Sequence, residues 1–209
     1  MKKRNKTKDF LKKFWFLLWK DDSFKGWLFS VIFLIAFILL IFFPGLRLVT
    51  GTELPLAIVE SCSMYHQGNL FSNTEAWYDR HDLKYAPFII NNLDWNDFIF
   101  KNGFNKGDIL FIIGVKPEKV KQGDVIIFKV NRANPIIHRV VEVRNLNGTY
   151  HYSTIGDNNN GQLSFEKDIS EDQLVGKAVV KLAPYFGWGK LIFFEASRPE
   201  SERGFCSER

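Results

Sequence analysis

An unbroken apolar run at residues 27–43, interrupted only by Ser30, constrains this chain more than any other feature of its sequence. A helix that crosses a lipid bilayer needs roughly 17 or more apolar residues, and the run reaches that length. Gly26 precedes the run and Pro44-Gly45 follows it, and both favour the ends of a helix. We therefore predict a single transmembrane helix over residues 26–46. A secretory signal peptide is the alternative, but its apolar core is shorter and ends in a small-residue cleavage site.

The charges on either side of the run predict how the chain crosses the membrane. Residues 1–25 hold nine Lys and Arg against three Asp, whereas Arg47 is the only basic residue close behind the run. Basic residues stay on the cytosolic side, so the N-terminus is expected in the cytosol of a single-pass cell-membrane protein. The arm 1–25 is either an amphipathic helix on the inner leaflet or a charged tail that only sets orientation. The net charge of +5 is thus a topology signal, and no nucleic-acid partner is expected.

The chain beyond the membrane segment is patterned as short strands. Six segments are rich in Val, Ile and aromatic residues and are bounded by Gly, Asn, Asp or Pro, as strands usually are. The sequence 145–148 contains Asn147-Gly148, a strong signal for a tight hairpin. We therefore predict a mainly β fold, with the transmembrane helix followed by an extracytoplasmic domain of short antiparallel strands at residues 47–190. The segments are 54–59, 108–114, 124–130, 136–143, 150–155 and 174–182.

Two stretches depart from the strand pattern. Residues 67–105 carry nine aromatic side chains among Asn and Asp. They form either an aromatic belt at the lipid interface or a self-packed cap. Residues 191–209 are expected to be a polar, unstructured tail, because their one apolar stretch, 191–194, is far too short to span a bilayer. The only cysteines are Cys62 and Cys206, neither in a Cys-x-x-Cys motif, so neither a disulfide framework nor a zinc site is expected.

The first candidate for chemistry is Ser63, which follows the strand predicted at residues 54–59. A serine hydroxyl is a poor nucleophile unless a base takes its proton and donors hold the oxyanion that forms. Ser61 is two residues away, and residues two apart on a strand share a face. Ser61 is therefore a candidate to direct a second hydroxyl at the carbonyl that Ser63 attacks.

Candidates for the base and its partner lie further along the chain. His138 interrupts an apolar strand, where its ring is costly to bury unless both nitrogens are paired. An imidazole suits a general base, although a buried structural histidine is the competing interpretation. Asp157 follows the strand predicted at 150–155, and a carboxylate at that strand end can orient an imidazole. An ordinary Asx turn is the competing interpretation of Asp157.

Taken together, six segments resemble the ordered boxes of the type I signal peptidases. The resemblance is closest to the archaeal and endoplasmic-reticulum branch, in which a histidine replaces the lysine base of the bacterial branch. It covers roughly residues 55–188 except the aromatic insertion 67–105. The matching segments are Glu60-Ser61-Cys62-Ser63-Met64, 106–111, 122–128, 136–141, 156–159 and 174–178.

The resemblance implies a membrane-anchored serine endopeptidase that cleaves N-terminal signal peptides from translocated precursor proteins. Ser63 matches the nucleophile, His138 the general base, and Ser61 with the backbone N–H of Ser63 the oxyanion hole. The implied partners are the precursors, the lipid bilayer and the secretory translocon, and neither a metal nor an organic cofactor is implied. The substrate would lie as an added strand with small side chains in shallow apolar pockets. The candidate pocket residues are Ile58, Val59, Ile136 and Val140.

The chain departs from the family's pattern at three places. Cys62 replaces the glycine between the two serines, and Tyr65-His66 replaces a Glu-Pro pair, which puts a second histidine near Ser63. Leu163 stands where the branch commonly has the aspartate of its triad. Asp157 is therefore our candidate for the third triad member, and Glu166 and Asp168 are the possible substitutes.

Three other interpretations remain open at this point. The first is a cysteine protease that uses Cys62 as its nucleophile. The second is a non-catalytic, membrane-tethered β domain that binds a partner through the aromatic insertion 67–105. The third is a self-cleaving, repressor-type peptidase, which would use a lysine as its base, and Lys129 is the candidate for that role.

Overall fold

The computed structural model describes residues 6–68, 74–132 and 134–208 and divides into two compact units. One unit extends to Val49 and the other begins at Thr50. Residues 1–5 of the predicted basic arm, residues 69–73 of the aromatic insertion and the last residue of the tail lie outside the described residues.

The first unit consists of helices. Helix α1 spans Lys6–Trp19 and helix α2 spans Phe24–Phe37. The Phe14 ring of α1 lies 5.4 Å from the Phe33 ring of α2, and the Ser30 hydroxyl donates to the carbonyl of Leu18 at 2.9 Å. The one polar residue of the apolar run therefore has acceptors within the unit.

The apolar run continues further as a helix than its sequence indicates. A five-residue π-helix, Ile38–Phe42, joins α2 to helix α3, Phe43–Thr50. Proline lacks an N–H and its ring crowds the carbonyl four residues earlier, and a widened turn before Pro44 relieves both problems. The helical segment is therefore Phe24–Thr50, 27 residues long, and not 26–46 as predicted. It is long and apolar enough to cross a membrane.

The second unit is built on one antiparallel sheet of seven strands, which confirms the predicted mainly β fold. The strand order is β1-β2-β7-β3-β4-β5-β6. All six predicted strands are present, and the unpredicted β6 is only two residues long. The strands are β1 Leu56–Ile58, β2 Ile109–Ile113, β3 Val125–Phe128, β4 Ile136–Leu146, β5 Thr149–Ile155, β6 Ile169–Ser170 and β7 Leu174–Ala183.

The predicted hairpin joins β4 to β5. Leu146 pairs with Thr149, so the turn is the two residues Asn147 and Gly148. Their φ angles are 55° and 92°, the positive values that a tight hairpin turn requires and that Asn and Gly tolerate best. The hairpin prediction is confirmed.

Side chains alternate between the two faces of the sheet and form two cores. Strand β3 is buried along its whole length, with Val125 and Ile127 in one core and Ile126 and Phe128 in the other. The first core also holds Met64, the residue that directly follows Ser63. The sheet and the Ser63 segment are therefore packed as one body.

The aromatic insertion forms a third core of its own. It contains helices α4 Thr74–Asp79, α5 Asp82–Tyr85 and α6 Asn92–Asp97. The side chains of Trp77, Tyr85 and Trp95 are at most 1% exposed, and they pack against one another and against β4 and β5. Within the described part of the insertion, these rings form a self-packed cap rather than a belt against lipid.

The C-terminal residues are ordered, which corrects the expectation of an unstructured tail. Helix α7, Trp188–Leu191, is followed by the short 3-10 helices Glu195–Ser197 and Glu200–Glu202. Cys206 forms a disulfide with Cys62 across 144 residues, which also corrects the expectation that no disulfide framework is present. We call residues 195–208 the C-terminal strap.

Candidate active site

Three side chains from distant parts of the chain form one hydrogen-bonded line. Ser63 Oγ lies 2.9 Å from His138 Nε2, and His138 Nδ1 lies 2.5 Å from Glu166 Oε1. His138 is 4% exposed and Glu166 is fully buried, whereas Ser63 is partly exposed. A carboxylate only accepts hydrogen bonds, so Nδ1 carries the proton and Nε2 can accept one from the serine. This arrangement can activate a hydroxyl as a nucleophile.

A loop that follows β5 holds the segment that carries Ser63 through hydrogen bonds. Strand β1 ends at Ile58, so Ser63 lies in the turn that follows it. The backbone N–H of Asn158 donates to the carbonyl of Ser63 at 2.7 Å, and Asn158 Nδ2 donates to the carbonyl of Cys62 at 2.9 Å. The next residue, Met64, is buried in the first core. The backbone is therefore held both before and after Ser63, and this fixes the position of its hydroxyl.

Gly156 makes room for the serine and histidine to meet. A Cβ atom at this position would lie 2.9 Å from His138 Nε2 and 2.9 Å from the carbonyl oxygen of Ser63. Cβ atoms do not approach other heavy atoms so closely, so a side chain here would push the two groups apart. Residue 156 is therefore a glycine because His138 and the backbone of Ser63 lie too close to it to leave room for a side chain.

Glu166 takes the place that the sequence assigned to Asp157. It lies in the 3-10 helix Ser164–Glu166, and its second oxygen accepts from the backbone N–H of Leu163 at 2.7 Å. The hydroxyl of Thr154 approaches Oε1 at 3.4 Å. Asp168 contacts Arg144 and His151 at the surface, so of the two substitutes only Glu166 reaches His138.

Asp157 belongs to a separate buried network, so its prediction as the partner of His138 is wrong. Its carboxylate accepts from Arg139 at 2.7 and 3.0 Å, from the Tyr85 hydroxyl at 2.9 Å and from His66 Nε2 at 3.0 Å. The physical reason is the alternation of a strand: His138 and Arg139 are neighbours in β4, so their side chains leave on opposite faces. Asp157 lies on the Arg139 side.

The charges of this network shift the pKa of its members in opposite directions. Burial raises the pKa of Asp157, but Arg139 and the hydrogen bond from His66 outweigh it, so that pKa lies well below its usual range. Burial lowers the pKa of His66, and the neighbouring Asp157 opposes this shift without reversing it. His66 is therefore neutral and donates through Nε2 to the charged carboxylate.

Ser61 lies beside the nucleophile, although not on a strand as expected. Ser61 Oγ is 3.1 Å from Ser63 Oγ, in the turn beyond β1. It is exposed, so its hydroxyl can turn toward a bound carbonyl without breaking a buried contact. The geometry is compatible with the oxyanion role predicted for it.

A groove of about 720 Å³ runs past Ser63 and His138. Its lining includes strand β1 and the start of β4. Three of the four predicted pocket residues, Ile58, Val59 and Ile136, line it. Val140 does not line this groove, and its prediction is wrong: it is fully buried in the second core with Phe128 and Tyr152.

The other candidate nucleophile and base do not fit this site. The sulfur of Cys62 is in the disulfide with Cys206, so it is not available as a thiolate. Cys62 is also not among the described residues with positive φ, so the backbone conformation at this position does not require a glycine. Lys129 pairs with Glu53 at 3.3 Å, and both side chains are largely exposed. Across the described ranges there is no group of three potential metal ligands.

The sequence missed two features of the site. Glu166 was only a substitute because it lies outside the strand pattern, in a single 3-10 turn. The C-terminal strap was missed because residues that pair over such a separation leave no local pattern. The available signal was that Cys62, where the family has glycine, and Cys206 were the only two cysteines of the chain.

Comparison with known proteins adds a distant relationship. The chain is 28% identical over 122 residues to the signal peptidase complex catalytic subunit SEC11C of human, mouse and dog. The alignment covers 57% of this chain and 45% of those proteins, so the chain spans less than half the length of the curated relatives it matches. No family model matches the chain. The similarity supports a relationship to the signal peptidases at the level of the family.

Proposed function

We propose that this protein is a membrane-anchored serine endopeptidase that removes N-terminal signal peptides from translocated precursor proteins. The observation that carries the proposal is the line from Ser63 Oγ to His138 Nε2, at 2.9 Å, and from His138 Nδ1 to Glu166, at 2.5 Å. The distant similarity to a signal peptidase catalytic subunit supports the substrate class.

The proposed mechanism follows from which nitrogen of His138 carries a proton. His138 Nε2 takes the proton of Ser63 while Oγ attacks the carbonyl carbon of the scissile peptide bond. The same nitrogen then gives the proton to the leaving amine, and water hydrolyses the resulting ester. Glu166 holds the imidazole through Nδ1 and stabilises the positive charge that it carries between the two steps.

The oxyanion that forms in each step needs donors that are already in place. We assign this role to the hydroxyl of Ser61 and the backbone N–H of Ser63. The Ser61 hydroxyl lies 3.1 Å from Ser63 Oγ, within reach of a carbonyl that Ser63 attacks.

The groove supports an extended peptide as the substrate. Its walls near Ser63 are strand ends, which can pair with the backbone of a peptide. Ile58, Val59 and Ile136 line it with apolar surface, and Val59 is almost fully buried. We propose that these apolar walls accept small side chains, in keeping with cleavage after Ala-x-Ala.

The location and orientation belong to the proposal as well. We place Phe24–Thr50 across the cell membrane as a single span, with the basic arm in the cytosol. The disulfide between Cys62 and Cys206 supports an extracytoplasmic second unit, because disulfides persist in oxidising compartments and are rare in the cytosol. The precursor proteins, the bilayer and the secretory translocon are the proposed partners.

The alternative of a non-catalytic binding domain loses its main support. Binding through the insertion requires exposed aromatic side chains there, whereas Trp77, Tyr85 and Trp95 are at most 1% exposed. The bulk of the described insertion is therefore a core and not a binding surface.

The test is cleavage of a precursor by the full chain purified in detergent. We expect cleavage after an Ala-x-Ala site by the wild-type protein and none by Ser63→Ala. Labelling of Ser63 by a serine-directed electrophile should require His138. A Ser63→Ala variant with full activity would overturn the assignment of the nucleophile.

A further inference from the structure

The C-terminal strap, residues 195–208, runs beside the segment that carries the nucleophile. Arg198 donates to the backbone carbonyl of Glu60 at 3.0 Å and pairs with its carboxylate at 2.9 Å. Further along, Cys206 is covalently bonded to Cys62. The two contacts occur in the same order along both segments, so the strap follows residues 60–62 in a parallel direction.

The loop that supports Ser63 also holds the end of the strap. Asn158 Nδ2 donates to the carbonyl of Cys62 and to the carbonyl of Ser207, both at 2.9 Å. One amide group therefore joins the two cysteine-bearing segments next to their disulfide.

A buried lysine anchors the middle of the strap. The side chain of Lys106 is 1% exposed, and lysines are rarely buried unless they are paired. Its ammonium contacts the carboxylate of Glu195, the carbonyl of Glu202 at 2.7 Å and the carbonyl of Gly204 at 3.4 Å. All three acceptors belong to the strap, so the strap is an integral part of the second unit.

Between these anchors the strap faces the groove. Six of its residues line the same groove as Ser63 and His138. Phe205 presents a ring that is 77% exposed and touches the Trp188 ring at 5.1 Å between centroids. An exposed ring that is fixed on one side offers apolar contact area with little entropy to lose on binding. The six residues are Arg198, Ser201, Glu202, Arg203, Phe205 and Ser207.

We propose that the C-terminal strap is a wall of the peptide groove, with Phe205 as a contact for the bound peptide, and that the Cys62–Cys206 disulfide keeps it there. This inference rests on the proposed peptidase function. It adds a specificity-determining element that is formed by the last residues of the chain and is sensitive to reduction.

The strap is expected to act on peptide binding rather than on the chemical step. The carbonyl of Ser63 is held by the backbone N–H of Asn158, and its hydroxyl by His138. Neither contact involves the strap. Release of the strap should therefore raise KM and leave kcat nearly unchanged.

The first test removes the covalent tie with Cys206→Ser, which leaves residue 62 in place. For a peptide with an Ala-x-Ala site we expect KM to rise about fivefold, the size of a typical interface contact, with kcat within about twofold. Reduction should raise the KM of the wild-type protein to the same extent and should not affect Cys206→Ser. Peptide mapping without reductant establishes the disulfide beforehand.

The second test leaves the disulfide intact and compares two phenylalanines. Phe205 and Phe186 are equally exposed, at 77%, but only Phe205 lines the groove. We expect Phe205→Ala to raise KM about fivefold and Phe186→Ala to leave it unchanged. If Cys206→Ser does not fold, the comparison of Phe205→Ala with Phe186→Ala still tests whether the strap contacts the bound peptide.

A binding measurement separates failure of this inference from failure of the proposed function. A labelled peptide with the same site is titrated into Ser63→Ala and into Ser63→Ala with Phe205→Ala, and its fluorescence anisotropy reports Kd. Weaker binding to the second variant supports the wall even if the wild-type protein cleaves nothing. Cleavage with equal KM for Phe205→Ala and Phe186→Ala overturns the wall and leaves the peptidase intact. A higher kcat/KM after loss of the disulfide also overturns it, because the strap would then obstruct the groove.

Discussion

Two histidines of this domain each contact a buried carboxylate, and only one of them faces the groove. His138 lies 2.5 Å from Glu166 and 2.9 Å from Ser63 Oγ, which is partly exposed. His66 lies 3.0 Å from Asp157 and is stacked on the Trp77 ring at 3.6 Å between centroids. The difference between the two sites teaches that a histidine–carboxylate pair is not by itself a catalytic unit.

The charge around each carboxylate separates the two sites further. Asp157 already balances the buried guanidinium of Arg139, whose other N–H groups donate to backbone carbonyls of the insertion and of the loop before β3. Among the described residues, neither lysine nor arginine pairs with Glu166, and His138 is the one cationic partner that it can have. Only Glu166 is therefore placed to stabilise a proton on its histidine during turnover. The four predictions below test this contrast.

The same substitution at the two histidines should give the largest difference. His138→Gln removes the proposed base and is expected to reduce kcat/KM by about 10⁴-fold or more. His66→Gln keeps an amide that can donate to Asp157 and should retain most of the activity. Equal losses at both positions in a precursor-cleavage assay would contradict the contrast.

The third triad member gives the next largest effect. Glu166→Gln keeps the size of the side chain but removes the charge that stabilises the imidazolium, so kcat should fall by about 10²- to 10⁴-fold. The melting temperature, followed by near-ultraviolet circular dichroism in detergent, should change little. Full activity in this variant would leave Ser63 and His138 without a carboxylate partner and would reopen the assignment.

Asp157→Asn should show the reverse pattern. It leaves the fully buried Arg139 without its counter-charge, and breaking a buried ion pair typically costs about 3–5 kcal/mol of stability. We expect a large fall in melting temperature, while the folded fraction keeps its activity at permissive temperature. The matched comparison is Glu166→Gln. Equal melting temperatures for Asp157→Asn and Glu166→Gln would show that the two carboxylates contribute equally to stability.

These contrasts also explain how far the sequence could predict the protein. The strands and the Asn147-Gly148 turn were predictable, because alternation and turn chemistry are local properties. Ser63 and His138 were candidates from their residue types and positions, and the family resemblance then favoured the catalytic interpretation over the structural one. Asp157 was misassigned because the resemblance gives the order of the boxes and not the face of β4 on which each side chain lies.

The features that escaped prediction depend on contacts between distant segments. Nothing in the composition of residues 191–209 indicates that Lys106 is buried beneath them, and the only indication that Cys206 meets Cys62 is that the chain has just these two cysteines. The π-helix Ile38–Phe42, by contrast, escaped prediction for a local reason: Pro44 predicts a helix end, and a widened turn before it lets the helix continue.

The smallest predicted effect is a pH dependence of stability that His66 contributes. In the unfolded chain a histidine takes up a proton below about pH 6.5, whereas burial lowers the pKa of His66 in the folded protein. The stability associated with neutral His66 is therefore fully present above about pH 6.5 and is lost as the pH falls toward the lowered pKa. One such group contributes at most about 1.4 kcal/mol per pH unit.

We expect the free energy of unfolding to fall more steeply between about pH 7 and 5.5 in the wild-type protein than in His66→Gln. His81 also stacks on the Trp77 ring, at 4.2 Å between centroids, so His81→Gln controls for the loss of a stacked imidazole. Parallel curves for wild type and His66→Gln would show that His66 is not held neutral.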